Sequence, residues 1–542
     1  MRRDNLHESF GMMYRIDIVL GLMMAVAALA YLARKISIPY PILLVIGGLG
    51  LGLIPGLPRI RLEPELVFLF FLPPLLYPAA LFTSWRDFQA NIRPITWLAV
   101  GLVLFTTYLV GLFAHHLAVQ LPLAAAFVLG AIVSPPDAVA ATAITERLRV
   151  PQRIATIIEG ESLVNDATAL VAYRFGIMAL MTGTFSLAEA GLRFIIVGVG
   201  GVLIGLVVGW VASQVQRRLD DPPVQITISI LTPFAAYLPA EQIHVSGVLA
   251  VVTCGVYLGW RAPEIINSRM RLQAYPVWEM IVFLLNGLVF ILIGLQLPEV
   301  LEGIRGERFS VGRIVWDAIM ISGVVIAIRF VWVFAVTYLP RMLSRRLREK
   351  DPSPQWQSVT IVAWTGMRGV VSLAAALALP FTIKDGAPFP DRDLIIFFTF
   401  VVILVTLVIQ GLSLPWLIRR LKVVDNGETE KEEREARLKA NLAAMARLSE
   451  LEEDKKYPTE LFQRLRVEYE DRIRQLEACD PSETAPNHGL FSSDYAHLQE
   501  EALRVERRTI LHLRNERAIN DNSLRSIQRD LDLAEARLDH GK

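Results

Sequence analysis

Between residues 15 and 421 the chain is a succession of apolar runs, each long enough to cross a bilayer. A hydrocarbon core about 30 Å thick needs roughly 20 apolar residues in a helix. Thirteen segments meet that requirement: 15–34, 40–57, 64–83, 94–119, 121–147, 152–182, 187–215, 222–239, 243–261, 272–298, 311–340, 355–382 and 391–421. Each is bounded by charged or turn-forming residues. Inside lipid every backbone N–H and C=O must find its partner within the chain, so the runs are read as helices. The first run does not read as a cleaved signal peptide. Arg2 and Arg3 precede it, but a polar stretch intervenes, no small-residue cleavage site stands out, and further spans follow at once.

After about residue 422 the composition reverses and the sequence is charged and polar. The overall figures, 53% hydrophobic and 20% charged with a net charge of +1, average these two unlike parts. They exclude a plain soluble enzyme, a disulfide scaffold and a disordered protein. A net charge near zero gives no general attraction for nucleic acid. The two cysteines, Cys254 and Cys479, lie in unlike regions and suggest neither a disulfide framework nor a metal cluster. The expectation is an all-α polytopic membrane protein, with a transmembrane domain over 1–422 and a helical C-terminal domain over 423–542.

Loop charge orients the spans. The odd-numbered loops hold about 17 Lys and Arg, from Arg34 and Lys35 to the group Arg341, Arg345, Arg346, Arg348 and Lys350. The even-numbered loops hold about 8: Arg59, Arg61, Arg193, Arg305, Arg308, Arg313, Lys384 and Arg392. Odd loops are therefore expected in the cytoplasm, with the N-terminus outside and the tail inside the cell, on the inner face of the cytoplasmic membrane.

An ionisable side chain at mid-bilayer costs at least about 2.5–3.5 kcal/mol, so each one asks for a reason. Four stand out: Asp137, Glu161, Asp166 and Arg368. Asp17, Asp317 and Arg329 are read as nearer to span ends and better suited to snorkelling. The fifth span contains Ser134-Pro135-Pro136-Asp137. Proline lacks an N–H and its ring clashes with the carbonyl four residues back, so the pair should unwind the helix and free carbonyls near Ala131 and Ile132. Unwound carbonyls beside a carboxylate make a hard-oxygen site suited to an alkali cation. A simple kink with a hydrogen-bonded Asp is the plain alternative.

The sixth span contains Glu161-Ser162-Leu163-Val164-Asn165-Asp166. On a helix Ser162 and Asp166 share one face, and Glu161 and Asn165 share the adjoining one. Desolvation disfavours a bare carboxylate, so Asp166 should hold either a proton or a cation. The twelfth span contains Gly366-Met367-Arg368-Gly369. A guanidinium at this depth keeps its proton and needs a counter-charge. Glu161 is the first candidate, in a structural ion pair, with Asp137 or Asp166 as competing partners. If the seventh span is a linker, the fifth and twelfth occupy matching places in two halves of opposite polarity. Interrupted segments at such positions point to a transporter site in an inverted-repeat fold.

The run Gly160–Asp166 closely resembles the sixth-helix signature of the monovalent cation:proton antiporter-1 family, the sodium/proton exchangers, and in particular its bacterial branch. Ser134–Val139 resembles that family's unwound-helix motif, and Gly366–Gly369 its arginine motif. The stretch from Trp278 through Asn286 to Gly294 is also similar. The resemblance covers about residues 12–421. It implies a homodimer in which a core domain moves against a dimerisation domain. It implies Asp166 as the ion- and proton-binding carboxylate, with Na+ held at Asp166, Asp137 and Ser162, and Glu161 paired with Arg368. It also implies that Asn165 before Asp166, in place of a second acid, goes with electroneutral one-for-one exchange. Two features depart from the pattern. Pro136 precedes Asp137 and Ala138 follows it. Leu72-Pro73-Pro74 leads to Tyr77-Pro78 with no carboxylate, leaving the cation shell one ligand poorer, which bears on the choice between sodium and potassium.

The functional expectation is a secondary transporter, not an enzyme, exchanging Na+ for H+ across the lipid bilayer without a cofactor. A potassium or mixed-cation exchanger is the nearest alternative. An intramembrane aspartyl protease would need a Gly-x-Gly-Asp-like loop, which is absent, and a channel would need a repeated filter. In the tail, 428–453 has strong helix-forming composition. Leu524, Ile527, Leu531, Ala534 and Leu538 follow a short coiled-coil spacing. No nucleotide-binding fingerprint occurs there. His488, His497, His512 and His540 are scattered and do not suggest a metal site.

Overall fold

The structure, a computed structural model, describes residues 2–36, 38–54, 67–116, 121–148, 150–182, 187–304, 310–383, 386–423, 427–453 and 458–478, with helical positions at 504–506, 508–509, 512 and 531. Outside the described residues lie Arg59, Arg61, Arg149, Arg305, Arg308, Lys384, Cys479, His488, His497 and His540. All members of the expected Leu524–Leu538 seam except Leu531 lie outside them as well.

Every one of the thirteen apolar runs contains helix. In chain order the helices, with the short connecting ones between runs, are α1 (Arg2–Lys35), α2 (Tyr40–Gly52), α3 (Leu72–Phe82, entered through a π-helical turn at Val67–Phe71), α4 (Trp85–Ala90), α5 (Ile92–Thr96) and α6 (Val103–His116). Then come α7 (Leu123–Val133), α8 (Ala138–Arg147), α9 (Gln152–Thr182), α10 (Leu187–Gln216), α11 (Pro222–Gln242), α12 (Gly247–Ile265), α13 (Ser268–Leu295) and α14 (Leu297–Gly303). The bundle closes with α15 (Val311–Leu343), α16 (Arg345–Lys350), α17 (Trp356–Trp364), α18 (Val370–Leu377), α19 (Arg392–Val405) and α20 (Gly411–Leu421). A second π-helical turn, Trp97–Leu102, joins α5 to α6, and a third, Thr406–Gln410, joins α19 to α20.

Nine helices among the described residues are long and apolar enough to cross a membrane, and Tyr40–Gly52, Phe68–Phe82 and Leu123–Val133 are shorter apolar ones. The run 355–382 is not one rod but two short helices, α17 and α18. Helix length and composition therefore do not fix the number of crossings at thirteen. Helix starts follow capping chemistry: Ser246 accepts from Leu249 N–H at 3.2 Å ahead of α12, and Asn267 from Met270 N–H at 2.8 Å ahead of α13.

The chain divides into two compact units, residues 1–425 and 426–542. Two apolar clusters fill the first. One gathers residues of α7, α8, α15 and α17 to α20, with Val26, Leu44 and Val45. The other gathers residues of α3, α11 and α12, with Ala212 and Trp278. Helix α9 belongs to both, through Ile154, Ile158 and Tyr173 on one side and Leu163 and Ala167 on the other. Its centre thus lies where the two cores meet. Helix α10 leaves Leu192, Ile195, Val199, Leu203, Val207 and Trp210 exposed along one face. Such a stripe suits lipid or another apolar surface, not water. In the second unit α21 (Glu428–Glu453) packs on α22 (Thr459–Ala478), with Arg466 bonded to Glu452 at 2.7 Å.

Candidate ion-binding site

Two interrupted helices form the centre of the site. Helix α7 ends at Val133, α8 starts at Ala138, and Ser134–Asp137 runs between them without helical bonding. Pro135 and Pro136 are the cause, since neither can donate the next helical bond. The hydroxyl of Ser134 donates to the Ala131 carbonyl at 2.9 Å, so one freed oxygen is taken up locally. Helix α17 ends at Trp364, and Thr365–Gly369 forms the second break before α18. The two breaks lie against each other. The Asp137 N–H donates to the Met367 carbonyl at 2.7 Å. A Cβ on Gly369 would collide with Asp137 Oδ2, so the close approach requires glycine there.

This crossing brings four helix ends together, and two side chains complement them. Asp137 serves the N-terminal ends. Its Oδ1 accepts from the Val139 N–H of α8 at 2.8 Å, and its carboxylate also accepts from the Val370 N–H of α18. Arg368 serves the C-terminal ends. Its Nε donates to the Val133 carbonyl of α7 at 3.0 Å, and Nη1 donates to the Gly366 carbonyl just past α17. A negative charge at two helix starts and a positive charge at two helix stops match the helix dipoles. The Arg368 backbone N–H is fixed by Thr406 Oγ1 at 3.1 Å, from the π-helical turn of α19.

The expected pairing of Glu161 with Arg368 is corrected by the structure. Glu161 instead meets Arg329 of α15 in a two-pronged contact, Nη1–Oε1 at 2.5 Å and Nη2–Oε2 at 2.8 Å. Both side chains are buried, at 1% and 0% exposure. Arg329 also donates to the Val362 carbonyl in the last turn of α17, at 3.0 Å from Nη2. Arg329 is therefore not a snorkelling end charge. It lies at the middle of a long span and ties α9, α15 and α17 together. Arg368 needs no carboxylate in contact because backbone oxygens at helix ends supply its negative surroundings.

With both guanidiniums engaged elsewhere, Asp166 forms no ion pair among the described residues, although it is only 6% exposed. It lies within electrostatic reach of Asp137. Asn165, the residue before it, donates Nδ2 to the Pro136 carbonyl at 2.9 Å and so ties α9 to the first break. The Asn165 Oδ1 is buried and has no hydrogen-bond partner among the described residues. Ser162 lies one turn before Asp166 on α9 and is half-buried. The site therefore brings together three carboxylates, Asp137, Glu161 and Asp166, and two guanidiniums, Arg329 and Arg368. Counted as ions they leave one negative charge in excess, in surroundings that penalise it. One proton or one monovalent cation balances it. No group of three or more His, Cys, Asp or Glu among the described residues is placed to hold a metal ion. A cation here would thus be held by carboxylate together with amide, hydroxyl and carbonyl oxygens, a hard-oxygen set.

Residues 22–420 match the family model described as sodium/hydrogen exchanger, transmembrane. The chain belongs to the sodium/hydrogen exchanger family. It is a membrane transporter and not an enzyme. An uncharacterized Na(+)/H(+) exchanger of Mycobacterium tuberculosis is 36% identical to this exchanger over 531 residues, 97% of either chain. A sodium, potassium, lithium and rubidium/H(+) antiporter of Bacillus pumilus is 38% identical over 388 residues, 70% of this chain and 58% of that protein. Among solved structures, the sodium proton antiporter MjNhaP1 of Methanocaldococcus jannaschii superposes with a TM-score of 0.57. That match covers 76% of this exchanger and 99% of that chain at 18% identity, and shows a shared fold. All the site residues, from Ser134 to Arg368, fall within the matched stretch of the exchanger.

Proposed function

We propose that the protein exchanges one monovalent cation, with Na+ as the principal one, for one H+ across the cytoplasmic membrane, and that Asp166 carries both in turn. The observation that carries this reading is the single unbalanced carboxylate among two guanidiniums and three acids. With one side of the site open, Asp166 releases its proton and a partly dehydrated cation takes its place. Asp166, Asp137, Ser162 and the unpartnered Asn165 Oδ1 are the oxygens proposed to hold it. The proton-loaded and cation-loaded sites carry the same charge, and either can cross the low-dielectric barrier. The bare carboxylate is penalised by roughly the cost of a buried ion, which suppresses leak. One charge traded for one charge makes the cycle electroneutral.

In this reading the crossing of the two breaks and the Glu161–Arg329 clamp move as one body. The site opens alternately to each face, in a homodimer with the tail in the cytoplasm. The exposed stripe of α10 supports an apolar partner or lipid on that side. A mixed-cation exchanger is the second reading. It is favoured by the Bacillus pumilus relative's name and by the absence of a carboxylate after Leu72-Pro73-Pro74.

The test uses the purified full chain in proteoliposomes carrying an imposed pH gradient. Na+, Li+, K+ and Rb+ are added one at a time, with and without a potential clamp. Dissipation of the gradient by Na+, at a rate independent of the clamp, is the expected result. Dissipation by K+ and Rb+ at rates comparable to Na+ would establish the second reading. No cation-dependent proton movement would overturn both.

A further inference from the structure

A cavity of about 380 Å³ lies at the ends of α3, α10 and α12 and the start of α13, away from the crossing of the two breaks. Its floor is closed by Tyr77, Trp278 and Ser229, all buried, with the Trp278 indole N–H donating to Ser229 at 3.1 Å. Its walls are aromatic, and Phe82 stacks on Tyr275 with ring centroids 4.4 Å apart. Arg86 and Arg271 also line it, and both are exposed. Arg271 is held in place by one donation to the Ile266 carbonyl at 3.1 Å. A guanidinium carries five donors, so among the described residues four are left to meet an anion.

The surroundings of the opening are apolar. Trp260 and Tyr275, which line it, are 56% and 53% exposed, and the neighbouring Leu272 is 70% exposed. Aromatic side chains of this kind collect at the level where a bilayer meets water. The same end of these helices carries Arg217, Arg218 and Arg261, with Glu264 paired to Arg217 at 3.4 Å and to Arg261 at 2.8 Å. An apolar pocket edged by exposed aromatic side chains and two guanidiniums has the form of a site for one chain and one acidic head.

We propose that this cavity binds an anionic phospholipid of the surrounding leaflet. One acyl chain lies between the aromatic walls above Tyr77 and Trp278, and the phosphate is bridged by Arg86 and Arg271. Charge complementarity selects the anionic lipid over a zwitterionic one, since basic pockets between membrane helices attract acidic headgroups. The volume falls in the range of about 300–1,000 Å³ that small-molecule sites occupy. The floor is packed and hydrogen-bonded, so the occupant stops there.

The test uses the delipidated full chain in detergent and native mass spectrometry. Phosphatidylglycerol, phosphatidylcholine with the same chains, and glycerol 3-phosphate are supplied separately. Phosphatidylglycerol should be retained in preference to phosphatidylcholine, and glycerol 3-phosphate should neither bind nor displace it. The double variant Arg86→Gln/Arg271→Gln, altered only at exposed positions, should weaken phosphatidylglycerol retention by about 30-fold, from two charge contacts. Ala274→Phe, which fills the cavity from its wall, should abolish retention while leaving both arginines in place. Equal retention by wild type and the arginine double variant would overturn the proposal. So would glycerol 3-phosphate binding as tightly as the lipid, which would mark an anion site with no use for the cavity.

Discussion

Arg329 and Glu161 meet in two parallel hydrogen bonds of 2.5 and 2.8 Å across 168 residues of sequence, with neither side chain open to solvent. This contact decides the rest of the site. It occupies the acid next to the Ser162–Asp166 face and the guanidinium nearest to it, so Arg368 is left to the helix ends and Asp166 has no ion pair among the described residues.

Removing one partner of such a pair strands a buried charge. Arg329→Met should therefore lower stability by about 3–5 kcal/mol, and Glu161→Leu should do the same. The double variant Glu161→Leu/Arg329→Met should recover most of that loss, because no unpaired charge is left behind. Thermal unfolding of the four proteins in one detergent measures the cycle. Additive losses in the double variant would contradict the pairing.

Arg368 should behave differently. Its partners are the carbonyls of Val133 and Gly366. Arg368→Gln leaves helix-end oxygens short of donors, at a cost of about 1–3 kcal/mol. A second change at Glu161 should not rescue it. The same unfolding assay distinguishes the two arginines, since only Arg329 should couple to Glu161.

Much of this architecture is readable from the residues. The two breaks follow from Pro135-Pro136 and from Gly366 and Gly369, and their matching places in two halves anticipate that they meet. Ser162, Asn165 and Asp166 fall on one side of α9 because a helical repeat puts them there. The partner of Glu161 is not readable, because two spans each offer an arginine and periodicity says nothing about which span packs on which. Arg329 could have been weighted more heavily on depth alone, since it lies nearer the centre of the run 311–340 than either end. The role of Arg368 is hidden for another reason. Its partners are backbone oxygens, which every residue carries, so no side-chain motif marks them.

Gly369 faces the Asp137 carboxylate so closely that a methyl group has no room. Gly369→Ala should force Asp137 away from the Val139 and Val370 N–H groups and reduce exchange by at least about tenfold, the effect of roughly 1.4 kcal/mol. Proteoliposome exchange rates, normalised to folded protein by gel filtration, test this. Unchanged rates would mean that the crossing tolerates a looser fit.

Outside the spans, Asp351 bridges Arg153 at 2.9 Å and Arg341 at 2.5 Å. Partial burial alone would raise its pKa, but hydrogen bonds and charge from these two arginines outweigh that and hold it below the ordinary 3.8. A depressed carboxylate stabilises the folded state above its unfolded value and loses that contribution as pH falls through the folded one. Asp351→Asn should thus be less stable than wild type at neutral pH. The gap should close only below about pH 3.8, where wild-type Asp351 protonates. Unfolding midpoints from pH 7 down to pH 3 follow the difference. A gap that closed well above pH 4 would contradict the assignment.

The central claim is that one aspartate carries both ions in alternation. Asp166→Asn, reconstituted beside wild type in vesicles of the same lipid, tests it most directly through Na+-driven dissipation of a pH gradient. The account predicts no exchange above protein-free vesicles, with gel-filtration profile and unfolding midpoint close to wild type. Sustained Na+-dependent proton movement by the folded Asp166→Asn protein would contradict it.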